Sequence, residues 1–260
     1  MPSNAKRLIK TFLNYFGLEI RRISSAPLLN QGQSSWMGLA GGENTWMKKY
    51  DIRTIFDIGA NSGAYTRSIA RALPDAMIYA FEPLRDCFEA MNASMRGSDK
   101  FKSFNFALGD SDMEAEIYRS ASSLSSSCLE MGELHKVNAP NTAAVSLEKI
   151  SVRRLDDVVK DINIEDNLLI KIDTQGYEDR VILGGLNTIR RAKVLTVETS
   201  FFELYKDQPL FHVIYSLLRK KGWSYMGSVE QWRSPIDGSV LQEDSLFIRA
   251  PWASLTDLGK

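Results

Sequence analysis

Four residues at the end of one apolar run have the types and spacing of a ligand-binding loop. The run Thr54–Ile58 carries Asp57, and Gly59, Asn61 and Gly63 follow before the next amphipathic stretch. Glycines at such a turn let the backbone bend sharply and pass close to a bound molecule. The pattern therefore predicts a strand, a tight turn and a helix start, with a ligand against the turn.

A second acid completes this pattern. Glu82 ends the next apolar run and is followed by Pro83. A carboxylate in that position can accept hydrogen bonds from both ribose hydroxyls of an adenosine. With the first loop, it predicts a pocket for a nucleoside-bearing cofactor at the carboxyl edge of a parallel sheet.

The glycine spacing favours one such cofactor over another. A dinucleotide fold prefers G-x-G-x-x-G, whose backbone amides cradle a pyrophosphate, whereas Gly59 and Gly63 stand here in D-x-G-x-x-x-G. That pattern is typical of the first motif of methyltransferases that use S-adenosylmethionine (SAM), a cofactor without a phosphate. The Asp57 carboxylate suits the cationic amine of its methionine part. An NAD-dependent oxidoreductase is the alternative, and a non-catalytic module of the same fold, docking a glycan-assembly complex at a membrane, is another.

The predicted third strand end supplies candidates for the adenine ring. Ala107 and Leu108 are apolar and could flank the ring, and Asp110 could reach its exocyclic amine. All three are therefore candidate cofactor-binding residues.

A second block, KIDTQGYE at residues 171–178, supplies candidates for the chemical step. Asp173 ends an apolar run, where it can orient or deprotonate a substrate hydroxyl. Glu198 ends the next run, so the two acids can lie side by side and either share a proton or hold a divalent metal such as Mg²⁺. His135, one of two histidines, is a second catalytic candidate, since its loop is expected to cover the pocket and its ordinary pKa is near neutral.

The order of apolar runs predicts the elements that position these residues. Strand-like runs alternate with helix-like stretches, which indicates an α/β fold with a doubly wound, mostly parallel sheet. Only a loop separates the last two runs, which predicts an antiparallel closing pair. The predicted strands are Thr54–Ile58, Ala76–Phe81, Phe101–Leu108, Leu168–Asp173, Val194–Thr199, Trp223–Val229 and Ser245–Arg249.

An insertion at residues 118–152 interrupts this alternation. It contains a serine-dense stretch, 120–127, and is bordered by two strand-like runs, Glu114–Tyr118 and Ile150–Leu155, which predict a hairpin. A long loop inside a compact domain is usually a functional lid or a disordered segment, and we expect this segment to select the substrate.

The length of 260 residues suits one large α/β domain, which we place at residues 46–260. Residues 1–45 are predicted to form an N-terminal amphipathic helix and an irregular linker. Basic and apolar residues segregate to two helix faces over 6–22, which allows peripheral contact with an anionic membrane. Packing of the same helix on the core or in a homodimer is the alternative.

The charge composition limits the classes of partner that the protein is expected to bind. Lys+Arg and Asp+Glu are both 32, so the net charge is zero, which argues against nucleic acid and favours a small or lipid-linked substrate. The two cysteines lack zinc-site spacing, and a reducing, cytoplasmic compartment is expected.

The blocks at 54–64, 81–83, 107–110, 171–178 and 197–198 together resemble the FkbM family of SAM-dependent methyltransferases, over roughly residues 50–230. The resemblance implies O-methyl transfer, commonly to sugar or polyketide hydroxyls, and a seven-stranded sheet with an antiparallel last strand. It implies cofactor contacts at Asp57, Gly59, Asn61, Gly63 and Glu82.

The resemblance leaves the metal open. More distant enzymes of the macrocin O-methyltransferase type hold magnesium with acids at comparable strand ends, and in them a second acid follows in the block around Asp173. Here that block has Gln175 and Gly176.

Overall fold

A seven-stranded sheet carries the candidate residues. The computed structural model describes residues 50–165 and 167–249; the predicted N-terminal helix and linker lie outside them. The strands of this sheet are β1 (Thr54–Ile58), β2 (Met77–Phe81), β3 (Phe101–Phe104), β7 (Leu168–Ile172), β8 (Ala192–Ser200), β9 (Trp223–Arg233) and β10 (Val240–Arg249).

The strand order is β3-β2-β1-β7-β8-β10-β9. The first five strands run parallel, and β10 lies antiparallel between β8 and β9. The doubly wound sheet with an antiparallel last strand is therefore confirmed. In such a sheet the loops at the carboxyl ends of β1 and its neighbours form the usual ligand crevice.

Short helices flank the sheet. They are α1 (Ala64–Ala72), α2 (Arg85–Ser94), α4 (Leu155–Val158), α5 (Glu178–Gly184), α6 (Leu186–Ile189) and α7 (Phe211–Lys220), with α3 (Glu133–Asn138) in the insertion. None of the helices among the described residues is long and apolar enough to span a bilayer.

The central strands are buried on both faces. All five residues of β1 are buried, and Phe56 and Ile55 belong to apolar clusters on opposite sides of the sheet. Parallel strands covered on both faces read as continuous apolar runs, which is why the sequence located β1 and β7 closely.

The predicted third strand is wrong in one respect. Instead of one strand over 101–108, the chain forms β3 and then a separate β4 (Ala107–Gly109), which joins a second sheet. Between them the Asn105 side-chain amide donates to the carbonyls of Glu82 and Pro83, both at 2.9 Å. These two hydrogen bonds hold Asn105 at the end of β2, and after it the chain leaves the main sheet.

The insertion forms the rest of the second sheet. Strands β5 (Met113–Ser120) and β6 (Val145–Arg154) pair antiparallel, as the hairpin prediction required, and β4 runs parallel to β6. Between β5 and β6 the serine-dense stretch contains one turn of 3₁₀-helix, Ser123–Ser125.

Gly59 sets how closely the loop after β1 approaches the loop after β7. Its φ is +80°, and a Cβ atom there would lie 1.8 Å from the Asp173 carbonyl oxygen. Gly97 has a similar φ of +88°, but open space surrounds its Cβ position. A comparison of substitutions at Gly59 and Gly97 therefore distinguishes the cost of backbone strain from the cost of a steric clash.

We expect Gly97→Ala to lower the free energy of unfolding by about 1–2 kcal/mol, the cost of a left-handed alanine. Gly59→Ala should cost clearly more, since the loops must also move apart. Urea unfolding of both variants measures the difference. Equal losses would show that the loop contact at Gly59 contributes nothing.

Candidate active site

The loop after β1 packs against the end of β2. The backbone amides of Gly59 and Ala60 both donate to the Phe81 carbonyl at 3.0 Å. The Asp173 amide, at the end of β7, donates to the Ile58 carbonyl at 3.0 Å. Three strand ends therefore meet at one place.

Glu82 is fixed at this meeting point by backbone donors. Its Oε2 accepts from the Asn61 amide at 2.7 Å and its Oε1 from the Leu84 amide at 2.8 Å. Each carboxylate oxygen keeps one lone pair, so two further donors, such as ribose hydroxyls, can be bound. Burial raises the pKa of Glu82 to about 7, against the two amide bonds that lower it.

Asn61 and Gly63 shape the rest of that loop. Asn61 has a φ of +49°, and its Oδ1 accepts from the Ser62 amide at 2.7 Å and the Ser123 hydroxyl at 3.2 Å. Gly63 has a φ of +81°, and a Cβ there would lie 2.7 Å from the Met91 side chain. The loop is thus tied both to α2 and to the serine-dense stretch.

Asp57 lies beneath the loop. Its side chain is fully buried, its Oδ2 accepts from the Thr66 hydroxyl at 2.5 Å, and its Oδ1 has no hydrogen-bond partner among the described residues. Burial raises the pKa of Asp57, and the Lys171 ammonium beside it opposes that shift. Asp57 does not line the pocket itself, so its contact with a cofactor amine stays a prediction, for which the unpartnered Oδ1 is available.

The pocket has about 660 Å³ of open space, counting its mouth. Gly59, Asn61 and Glu82 line it, as do Ala107 and Leu108, the two residues predicted to contact an adenine. Other contributors are Phe81, Leu84, Ile117, Leu124 and Tyr177, together with Ser123, Ser126, Ser127 and Cys128 of the serine-dense stretch. A carboxylate with free lone pairs near apolar lining residues is the combination expected for an adenosine.

Asp110 stands apart from this pocket. It follows β4, and its Oδ2 accepts from the Arg180 guanidinium at 2.9 Å. β4 belongs to the second sheet rather than to the main sheet, and Asp110, which follows it, is not among the pocket-lining residues. The expected contact of Asp110 with an adenine amine is therefore not reproduced by this geometry.

Asp173 does line the pocket. Its Oδ2 accepts from the Lys171 ammonium at 2.7 Å and its Oδ1 from the Gln175 side-chain amide at 2.9 Å. Burial opposes ionisation, but the charge and hydrogen bond of Lys171 outweigh it, so the pKa of Asp173 is held below its usual value. Its side chain remains 28% exposed, which leaves it accessible to a substrate.

Glu198 lies next to Asp173, as the sequence predicted, but not as an ion-binding pair. Gln175 Nε2 donates to Glu198 Oε2 at 2.6 Å while also binding Asp173. Burial and the neighbouring charge of Asp173 raise the pKa of Glu198 well above its usual value. The pKa values of the two neighbouring carboxyl groups are thus shifted in opposite directions.

The donor set does not fit a divalent metal. Mg²⁺ and Ca²⁺ require oxygen ligands, and between Asp173 and Glu198 stands an amide N–H₂ group. Among residues 50–165 and 167–249, no three acidic, histidine or cysteine side chains cluster as metal ligands. The geometry thus gives the expected Mg²⁺ site no support.

The prediction that His135 is a catalytic residue over the pocket is not supported by its position. It lies in α3, is 2% exposed, and packs its ring 5.1 Å from the rings of Tyr205 and Trp232. It does not line the pocket, and burial lowers its pKa to about 4. The insertion does reach the pocket, but through residues 123–128 rather than through this histidine.

Several residues of the site were missed at the sequence level. Lys171 lies in the buried run of β7, in register beside Asp57 of β1. The Tyr205 hydroxyl contacts Gln175 Oε1 at 2.9 Å, and Ser127 Oγ donates to the Gln175 carbonyl at 2.6 Å. Of these residues, Lys171 alone had a signal in the sequence, since it is the one charged residue in an otherwise apolar strand.

The strand order, with a pocket at the carboxyl ends of β1, β2 and β7, is that of a SAM-dependent methyltransferase of the class I fold. The chain belongs to the FkbM methyltransferase family, whose domain model, "Methyltransferase FkbM domain", matches residues 57–225.

Two curated relatives are similar to the chain. A 2-O-methyltransferase, NoeI, of Sinorhizobium fredii (strain NBRC 101917 / NGR234) is 27% identical over 198 residues, covering 72% of this chain and 77% of that protein. The AMB antimetabolite synthetase AmbE of Pseudomonas aeruginosa (strain PAO1) is 28% identical over 168 residues, which are 54% of this chain and 8% of that protein.

Solved structures are more distant. An FkbM methyltransferase from Methylobacillus flagellatus KT has 13% identity and a TM-score of 0.45, covering 76% of this chain and 44% of that chain. Magnesium protoporphyrin IX methyltransferase (ChlM) from Synechocystis PCC 6803, solved with bound SAM, has 10% identity and a TM-score of 0.46, covering 95% and 98% of the two chains.

The pKa of Glu82, about 7, predicts how nucleoside affinity depends on pH. Ribose hydroxyls need the ionised carboxylate, whose population rises between pH 6 and pH 8. Because apparent affinity scales with the competent fraction, adenosine should bind about tenfold more tightly at pH 8 than at pH 6. Adenosine itself does not titrate in this range.

Calorimetric titration of adenosine at both pH values checks this. Glu82→Gln should bind weakly and without pH dependence, while Glu89→Gln, on the exposed face of α2, should behave as wild type. A wild-type affinity that is the same at both pH values would remove Glu82 as the ribose ligand.

Proposed function

We propose that this methyltransferase transfers the methyl group to a hydroxyl oxygen of a sugar, a glycan or a related small molecule. The observation that carries this proposal is the ionised Asp173 carboxylate on the pocket lining, beside residues suited to SAM. An aspartate fits an acceptor that must lose a proton, as a hydroxyl does on methylation. The similarity to a 2-O-methyltransferase supports the same class of acceptor.

The residues suited to the cofactor divide into two groups. Glu82 would accept the ribose hydroxyls, with the Asn61 and Leu84 amides fixing the carboxylate. Ala107 and Leu108 would contact the adenine face. Gly59, which leaves no room for a side chain, brings this half of the pocket up against Asp173. When bound, SAM supplies a methyl group on a positively charged sulfur, which is already activated for displacement.

The work left to the protein is alignment and removal of one proton. Asp173 would accept a hydrogen bond from the acceptor hydroxyl and so point an oxygen lone pair at the reacting carbon, in an SN2 geometry. Its pKa is held low by Lys171, so it is a weak base, yet a weak base suffices because the hydroxyl becomes strongly acidic as the new C–O bond forms. The proton then passes to Asp173.

The alternatives considered from the sequence have no comparable support. The loop at 59–63 lacks the glycine spacing for a pyrophosphate, which argues against NAD. A non-catalytic module would not need an accessible ionised acid beside an intact cofactor loop. Membrane contact through residues 6–22 and a homodimer are further proposals that the sequence suggests.

Asp173→Asn keeps the shape of the side chain but removes the charge that receives the proton. We expect kcat to fall by about 10²–10⁴-fold, the usual contribution of a positioned general base, while adenosine affinity changes little. Single-turnover methyl transfer from radiolabelled SAM, with adenosine titration alongside, measures both. Activity of Asp173→Asn within a few-fold of wild type would contradict the assignment.

The acceptor class is tested with a panel. Purified protein and labelled SAM are incubated with mono- and oligosaccharides, with catechol-type phenols, and with amine acceptors at equal concentration. Label should appear in acid-stable ethers of the sugars. Transfer to amines alone would overturn the proposal of O-methylation.

A further inference from the structure

Gln175 is held in an unfavourable backbone conformation. Its φ is +55°, a region that costs a residue other than glycine about 1–3 kcal/mol unless its surroundings impose it. The Ser127 hydroxyl donates to the Gln175 carbonyl at 2.6 Å, and the next residue, Gly176, has a φ of +97°. Strain at a residue on the pocket lining points to a task for its side chain.

The Gln175 side chain satisfies three groups at once. Its Nε2 donates to Asp173 at 2.9 Å and to Glu198 at 2.6 Å, and its Oε1 lies 2.9 Å from the Tyr205 hydroxyl. Because Tyr205 occupies the oxygen end, both N–H groups are directed at the two acids. Two adjacent carboxyl groups otherwise share a proton or hold a cation between them.

The geometry points to the Gln175 amide as the replacement for a divalent cation at this site: it bridges Asp173 and Glu198 and holds Asp173 in position for the acceptor hydroxyl. Gln175 is then a positioning residue, since it acts through Asp173. Its role in turnover rests on the proposed function, but the replacement of a cation does not. A glutamate at the same position would offer a third carboxylate in place of the amide, and that set suits a divalent ion.

The first test needs no acceptor. Wild type, Gln175→Glu and a matched control, Gln231→Glu on exposed β9, are titrated with Mn²⁺ by calorimetry and by the paramagnetic effect on water relaxation. Saturable binding is expected for Gln175→Glu alone. Saturable binding to wild type that Asp173→Asn removes, or no binding to a folded Gln175→Glu, would overturn the proposal.

The second test separates positioning from stability. Gln175→Gly removes the amide and accepts the positive φ, and Asp207→Gly makes the same backbone change at an exposed position with a φ of +59°. With an acceptor from the sugar panel, kcat should fall about 100-fold in Gln175→Gly and stay unchanged in Asp207→Gly. Adenosine affinity should match wild type in both variants.

A kcat for Gln175→Gly within threefold of wild type would contradict the positioning role, as would a parallel loss of adenosine affinity. Wild-type turnover that EDTA abolishes and Mg²⁺ restores would contradict the cation replacement. If no acceptor in the panel is methylated, the proposed function fails while the Mn²⁺ titrations still decide this inference.

Discussion

The site depends on one ion pair, between the Lys171 ammonium and the Asp173 carboxylate at 2.7 Å. Lys171 is 5% exposed and lies in a strand whose other residues are all apolar. A charge this deeply buried is costly unless it is paired. The carboxylate of Asp57, in the neighbouring strand, also stabilises the Lys171 ammonium electrostatically. The ammonium in turn lets Asp173 stay ionised at a poorly hydrated strand end.

The pocket includes one member of this ion pair, Asp173, in its lining. Gly59 allows the loop after β1 to rest against the Asp173 carbonyl, and Glu82 and Asp173 line the same pocket. The two acids are then tuned in opposite directions. Burial raises the pKa of Glu82 to about 7, whereas Lys171 keeps that of Asp173 low. Two carboxyl groups on one pocket lining thus have different environments, which is the basis for proposing a cofactor half at Glu82 and an acceptor half at Asp173.

Much of this could be predicted from the sequence, because strand-end acids and a glycine turn are local features. β1 and β7 were located by their apolar runs, and the loop at 59–63 by its glycines. Other features depend on contacts distant in the chain. Hydrogen bonds from Asn105 to the end of β2 divided the predicted third strand and left Asp110 to pair with Arg180. His135 was buried by Tyr205 and Trp232, which lie far along the chain. The hydrogen bonds from Gln175 to Asp173 and Glu198 depend on side-chain positions at the ends of two strands. Residue spacing in the sequence does not predict them.

We infer that the ends of β1, β2 and β7 form one site, with the adenosine on Glu82 and the reaction beside Asp173. A crystal structure with bound S-adenosylhomocysteine is the most direct test. Both ribose hydroxyls should lie within hydrogen-bonding distance of the Glu82 carboxylate, with the sulfur directed toward Asp173. A ribose bound away from Glu82, or a sulfur on the far side of the pocket from Asp173, would contradict it.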